Sequence, residues 1–86
     1  MKREILAIIA EYLDMPVEDL QDYKTFEDLN VDSLAFTEMI YEIEEKLNVS
    51  IFSRMQKQRE QLHNLGEVLS LTETLILSDR QAGLGA

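Results

Sequence analysis

Apolar residues recur at steps of three and four in three stretches of this chain, and this spacing constrains the fold more than any other feature. It places the apolar side chains of each stretch on one face of an amphipathic helix. The three sets are Ile5, Ile8, Ile9 and Tyr12; Phe36, Met39, Ile40, Ile43 and Leu47; and Leu65, Val68, Leu69, Thr72, Leu75 and Ile76. Strand-like alternation is confined to residues 49–52, and one short run without a partner strand cannot make a sheet. We therefore expect an all-α fold.

The first two helices are joined by a long connection. Pro16 ends the first helix, because the residue before a proline is pushed out of helical geometry. The connection runs from Val17 to Asp32, and loops of this length without structure of their own are usually functional or disordered. Five apolar residues argue for order, since they can hold the loop over the core. They are Val17, Leu20, Phe26, Leu29 and Val31.

The second helix begins at Asp32 or Ser33, and its exposed face is expected to carry the acids Glu38, Glu42, Glu44 and Glu45. Asn48 is expected to end this helix, because asparagine tolerates left-handed geometry. Residues 53–62 predict a short third helix before the last long one. The expected architecture is a small four-helix bundle with three long helices and a short third helix.

With 86 residues the chain has room for one domain and one modest core. We expect the domain to span residues 1–78, followed by a flexible tail at residues 79–86. The chain has no cysteine, which excludes disulfides and thiolate metal sites and favours the cytoplasm. Its one histidine, His63, lies in a polar stretch without the features of a catalytic base. The expectation is a protein without catalytic activity of its own.

The net charge is −9, and residues 1–50 hold 13 acidic and 4 basic side chains. Such a field repels nucleic acid and anionic lipid and accelerates encounter with proteins that carry basic patches. The alternative is that the charge only keeps a small domain soluble. Because no apolar run reaches the roughly 18 residues of a membrane span, we expect no stable membrane association. We also expect the protein to be a monomer.

The chemistry of the chain centres on Ser33, in the pattern Phe-x-Asp-Leu-x-x-Asp-Ser-Leu that spans residues 26–34. A serine at a helix start lies beside unpaired backbone amides and the positive end of the helix dipole. A phosphodiester attached through Ser33 would find a suitable electrostatic environment there, apart from repulsion by Asp32. The structural alternative is that Asp32 caps the helix and Ser33 is an ordinary first-turn residue.

The wider pattern resembles the acyl carrier proteins over residues 2–78. The resemblance rests on the motif around Ser33, the acidic helix ending Glu-Glu-Lys-Leu at residues 44–47, and Leu-Gly-Glu-Val at residues 65–68. It implies that a phosphopantetheinyl transferase attaches 4′-phosphopantetheine to Ser33, flanked by Asp32 and Leu34. The thiol of that arm would hold an acyl group as a thioester, which a chain without cysteine cannot do alone.

The resemblance also implies that acyl-loading and acyl-processing enzymes recognise the second helix through basic docking patches. The residues carried over to this role are Glu38, Tyr41, Glu44 and Glu45. Exposed carboxylates suit fast, salt-sensitive docking of modest affinity. The aliphatic stripe with Met39 further predicts a core that can part to admit an acyl chain.

Three features depart from the family pattern. Asn30 replaces a common glycine, although asparagine is the next best residue for a positive φ. Residues 52–59 are basic where these carriers are usually acidic, and Phe36 and Tyr41 add aromatic bulk to the second helix. These departures favour a specialised carrier in fatty-acid, polyketide or related biosynthesis. The basic residues could instead pair with acids of the same domain.

Two other functions stay open. One is a free-standing aminoacyl or peptidyl carrier, although Asp32 directly before Ser33 favours an acyl carrier. The other is an unmodified acidic helical module that binds a basic partner.

Overall fold

The computed structural model describes residues 1–85, with side chains described for residues 1–81, and it is built from helices. The four α-helices are α1 (Lys2–Leu13), α2 (Ser33–Leu47), α3 (Phe52–Lys57) and α4 (Leu65–Gly85). One-turn 3-10 helices lie at Val17–Asp19 and Arg59–Gln61. No strand is present in residues 1–85. The prediction of an all-α bundle with a short third helix is confirmed.

The three predicted apolar stripes meet in one core. Helix α1 packs against α2 and α4, and the short α3 also contacts α2 and α4. Side chains less than 2% exposed come from every helix: Ile5, Ile9, Phe36, Met39, Ile40, Ile43, Met55, Val68, Thr72 and Ile76, together with Ile51 before α3. Full burial of a large apolar side chain contributes about 1.5–3 kcal/mol. The core therefore supplies the main stabilisation of this small fold.

Left-handed residues end the first two helices. Asp14 has φ 55° and Asn48 has φ 55°, and the backbone N–H of each donates back into its helix. The predicted role of Asn48 is confirmed. Helix α1 ends at Leu13, before Pro16 as expected, and Asp14 ends it by adopting the left-handed conformation.

The connection between α1 and α2 is ordered, as its apolar residues predicted. Leu20, Leu29 and Val31 are buried, and Phe26 is half-buried. The expectation for Val17 was wrong, since this residue is 45% exposed. It begins a surface 3-10 turn in which no residue is buried.

Helix α4 continues to Gly85, beyond residue 78, after which a tail was expected. No proline interrupts it, and a glycine inside a helix costs only about 1 kcal/mol relative to alanine. The Asp79 carboxylate also contacts the rest of the domain, accepting from the backbone N–H of Ser50 at 3.2 Å and lying 3.5 Å from Arg54 Nη2. Flexibility of residues 79–86 stays a prediction, and Ala86 lies outside the described residues.

None of the described helices combines the length and apolar character required to cross a bilayer.

Candidate functional site

Ser33 is the first residue of α2, and its side chain is exposed. The residue before it, Asp32, has extended backbone geometry with φ −89° and ψ −174° and caps the helix. Its Oδ1 accepts the Ala35 N–H at 2.8 Å, and its carbonyl oxygen accepts the Phe36 N–H at 2.9 Å. Capping is thus performed by Asp32, which leaves the Ser33 hydroxyl free of that task.

Two backbone donors lie at the same helix start. The N–H groups of Ser33 and Leu34 have no hydrogen-bond partner in the part of the chain that the structure describes. Together with the helix dipole, such donors favour an anionic oxygen. The arrangement therefore fits a phosphate ester on Ser33.

The Ser33 hydroxyl is not paired with a base. Within residues 1–81 no side chain donates to it or accepts from it, and Thr37 Oγ1 bonds instead to the Ser33 carbonyl oxygen at 3.0 Å. A nucleophilic serine needs an adjacent general base. The site is suited to carry a group and lacks the pairing that activates a catalytic serine.

Local hydrogen bonds set the turn that leads into Ser33. The Thr25 N–H donates to Asp28 Oδ2 at 3.1 Å, and the Asp28 N–H donates to Thr25 Oγ1 at 3.0 Å. The backbone N–H of Thr25, and next its hydroxyl, stabilise the charged Asp28 carboxylate and lower the pKa of Asp28. The Val31 N–H reaches the Phe26 carbonyl at 2.8 Å, and Asn30 has φ 56°. The predicted tolerance of asparagine at this turn is confirmed.

The connection is also fastened to the start of α4. The Leu65 and Gly66 N–H groups donate to the carbonyl oxygens of Lys24 and Asp22 at 2.8 and 2.9 Å. A Cβ at position 66 would lie 3.1 Å from Asp22 Cβ. This close approach explains the glycine in the Leu-Gly-Glu-Val segment.

A capping box completes the start of α4. The Glu67 N–H donates to Asn64 Oδ1 at 2.9 Å, and Glu67 Oε1 accepts the His63 N–H at 2.7 Å. The loop that presents Ser33 is therefore joined to a well-defined helix start.

The predicted partner-facing residues of α2 differ in their hydrogen bonds to the rest of the domain. Tyr41 is 51% exposed and Glu45 is exposed; Leu34, which was predicted to flank the modified serine, is 67% exposed. Glu38 is exposed as well, but its Oε2 accepts the Tyr12 hydroxyl at 2.7 Å. That hydrogen bond, with burial and the Glu38 charge, raises the pKa of Tyr12 to about 12.

Glu44 does not lie on the solvent face as expected. It is half-buried, and its Oε2 accepts the Ile51 N–H at 2.7 Å and the Phe52 N–H at 2.9 Å. The carboxylate thereby serves the start of α3, which has no side-chain cap from its own N-cap residue. No pattern within α2 signals this contact, because the partner amides lie beyond the turn that ends the helix.

The basic segment has two kinds of internal contact. Arg54 Nη2 donates to the Ser50 carbonyl at 2.9 Å and lies 3.5 Å from Asp79 Oδ1, so pairing within the domain accounts for this residue. The Arg59 guanidinium lies over the rings of Phe26 and Phe36, at 4.1 and 4.8 Å from their centroids. These two rings pack edge to face, with centroids 5.6 Å apart.

An aromatic pair joins the exposed sides of α2 and α3. The rings of Tyr41 and Phe52 lie 4.9 Å apart, with 36° between their planes. The aromatic bulk predicted on α2 is therefore divided between a buried position, Phe36, and an exposed one, Tyr41.

Comparison with known proteins supports the resemblance. A family model described as the phosphopantetheine attachment site matches residues 3–71. The acyl carrier protein of Chlamydia caviae is 35% identical over 75 residues, covering 86% of this chain and 94% of that protein. The acyl carrier protein of Chlamydia muridarum is 37% identical over 70 residues, covering 80% and 87%. That of Wolinella succinogenes is 31% identical over 72 residues, covering 83% and 91%. No solved structure gives a significant match.

The matched residues include all of α1 except its first residue, the whole of α2 and α3, and the first part of α4. Both the family model and the relatives cover most of the chain. The chain therefore belongs to the acyl carrier proteins, which tether acyl groups through a covalently attached 4′-phosphopantetheine and have no catalytic activity of their own.

Proposed function

We propose that Ser33 is the residue of this acyl carrier protein that carries 4′-phosphopantetheine. The observation that supports this most directly is the exposed Ser33 hydroxyl at the start of α2, beside the unpartnered N–H groups of Ser33 and Leu34. Asp32 orients this helix start through its bond to Ala35, and the exposed Leu34 lies next to the modified residue, where a transferase would meet it.

Each neighbouring group has a defined part in this role. The Ser33 oxygen forms the ester, and the free amides are donors for the phosphate oxygens. When attached, the arm supplies a thiol that holds the acyl group as a thioester. The chain itself has no cysteine, so cargo attachment depends on the arm.

Intact mass after coexpression with a phosphopantetheinyl transferase tests this assignment. Wild type is expected to gain one phosphopantetheine, and Ser33→Ala to gain none. Ser53→Ala is the matched control, because Ser53 is another exposed serine in the first turn of a helix. An equal gain in Ser33→Ala would contradict the assignment. Absence of any gain in wild type would favour an unmodified acidic interaction module.

We further propose that the transferase and the acyl-processing enzymes dock on α2 through basic patches. Leu34, Tyr41, Glu38 and Glu45 are all exposed around the face that follows Ser33. Glu44 does not join this set, because its half-buried carboxylate is bonded to the backbone N–H groups of Ile51 and Phe52. Electrostatic complementarity of this kind acts mainly on association rate and specificity.

Transferase kinetics with the apo protein test the docking face. Glu45→Lys is expected to lower kcat/KM about tenfold at low salt, an effect that falls with ionic strength. Glu18→Lys makes the same charge change at an exposed position on the first 3-10 turn and is expected to have a smaller effect. Equal losses in the two variants would mean that net charge alone governs the encounter.

We place the carrier in the cytoplasm, in fatty-acid, polyketide or related biosynthesis. The lack of cysteine supports the compartment. The masses of groups attached to the protein isolated from its native cells would identify the pathway. Aminoacyl or peptidyl masses in place of acyl masses would instead support the aminoacyl or peptidyl carrier.

A further inference from the structure

Arg59 is held in an unusual way for a basic residue of this acidic chain. It is half-buried at the start of the second 3-10 turn, and its guanidinium covers the rings of Phe26 and Phe36. Neither ring centroid lies more than 4.8 Å from the guanidinium carbon. Cation–π contact with two rings restricts the position of the charge.

The hydrogen-bond donors of this guanidinium are unused. Among residues 1–81 no acceptor bonds to the Arg59 side chain and no carboxylate forms an ion pair with it. Arg54, in the same basic segment, instead donates to Ser50 and pairs with Asp79. Cation–π contact does not use the N–H groups of a guanidinium as hydrogen-bond donors to an oxygen, so they stay available to an acceptor. Arg59 is thus an oriented set of donors without a protein acceptor.

The two rings that Arg59 contacts belong to segments that adjoin the proposed attachment residue. Phe36 is three residues after Ser33 on α2, so the two share a helix face with Cβ atoms about 5–6 Å apart. Phe26 lies in the loop that leads into the same helix start. An arm tethered to Ser33 therefore begins about one helical turn from a ring that the Arg59 guanidinium contacts.

We propose that Arg59 binds an oxyanion tethered at Ser33, either the phosphodiester of the arm or a carboxylate on the acyl cargo. The proposal depends on the assignment of the arm to Ser33. A guanidinium fork matches both oxyanions in a bidentate manner, whereas a neutral alkyl group offers it no acceptor. If the cargo carboxylate is the ligand, Arg59 makes this carrier selective for acid-bearing acyl groups.

The test is to compare the NMR chemical shift of the Arg59 Nε–Hε group in four forms of the wild-type protein. These are the apo form, the phosphopantetheinyl form, and the phosphopantetheinyl forms that carry a butyryl or a succinyl group. Butyryl and succinyl have the same number of carbons, and only succinyl ends in a carboxylate. If the chemical shift changes between the apo and phosphopantetheinyl forms, and the same change is present in the butyryl and succinyl forms, the phosphodiester is the ligand of Arg59. A shift that appears only with succinyl identifies the cargo carboxylate. An Arg59 resonance unchanged in all four forms overturns the proposal.

Variants separate binding from a purely structural role of Arg59. Lys57→Gln removes one nearby exposed cation and is expected to preserve the ring shifts of Phe26 and Phe36 that accompany the bound oxyanion. Arg59→Gln is expected to abolish them, and Arg59→Lys to weaken them by removing the planar fork. The same response in Arg59→Gln and Lys57→Gln would also overturn the proposal. Because the primary comparison uses wild type, it does not depend on the stability of a variant.

Intact mass distinguishes the two ways of failing. If Ser33→Ala gains the same mass as wild type, or wild type gains none, the attachment site and this inference both fall. If wild type is loaded at Ser33 but Arg59 does not respond, only the inference is wrong.

Discussion

The Glu44 carboxylate accepts the backbone N–H of Ile51 at 2.7 Å and so ties the end of α2 to the start of α3. The same oxygen accepts the Phe52 N–H at 2.9 Å. Helix α3 is only six residues long and has no side-chain cap from its N-cap residue. A residue expected to meet partner enzymes therefore has a structural contact inside the domain.

Substitution of Glu44 by alanine should destabilise the fold. Loss of an N-terminal capping group typically costs about 1 kcal/mol, and Glu44→Ala is expected to lower the free energy of unfolding by this amount. Urea denaturation measures the change, and hydrogen exchange at Ile51 and Phe52 should accelerate. Glu45→Ala, which removes the neighbouring exposed carboxylate, should change stability by less than about 0.5 kcal/mol. Equal destabilisation by both substitutions would contradict the capping role.

The Tyr12 to Glu38 hydrogen bond should make stability depend on alkaline pH. The pKa of the Tyr12 hydroxyl is raised from 10.0 to about 12, chiefly because the neutral hydroxyl donates to Glu38. The bond therefore contributes fully below pH 10, and its contribution is lost as pH rises through 10 to 12. Below pH 10, Tyr12→Phe should cost less than about 1 kcal/mol, because both groups contact solvent.

Denaturation between pH 8 and pH 12 measures that dependence. The difference between wild type and Tyr12→Phe should shrink through the alkaline range. Tyr23→Phe is the control, because Tyr23 is exposed and its hydroxyl has no hydrogen bond to a side chain of residues 1–81. A constant difference between wild type and Tyr12→Phe would exclude the hydrogen bond as its cause.

Asn30 should tolerate glycine better than alanine. Its φ of 56° lies in the left-handed region, where most side chains cost roughly 1–2 kcal/mol and glycine does not. Asn30→Ala is expected to lose about 1 kcal/mol of stability by urea denaturation, and Asn30→Gly to lose clearly less. Similar losses in the two variants would show that the asparagine side chain, and not the backbone geometry, is what matters.

The end of α4 should contribute little beyond Asp79. Truncation after Gln81 is expected to change the free energy of unfolding by less than about 0.5 kcal/mol. Asp79→Ala removes the acceptor for Ser50 and Arg54 and should cost up to about 1 kcal/mol. Thermal and urea denaturation of both proteins compare them directly. A larger loss on truncation than in Asp79→Ala would mean that the terminal residues pack on the domain.

Local sequence determined the helices, the turn and the candidate site. The apolar stripes of α1, α2 and α4 were readable because the helical repeat is a property of neighbouring residues. The left-handed geometry of Asn30 and Asn48 followed from the conformational preference of asparagine. The position of Ser33 at the start of α2 was readable for the same reason, since capping signals extend over only a few residues.

Tertiary structure decided which polar side chains contact other residues of the domain and which stay available to partners. Tyr12 meets Glu38 across 26 residues, Glu44 turns to the start of α3, and Arg59 stacks on rings from α2 and the preceding loop. These contacts depend on how the helices pack, and helix periodicity carries no information on that packing. An acid on the solvent side of one helix can therefore become the cap of the next, which only the three-dimensional arrangement shows.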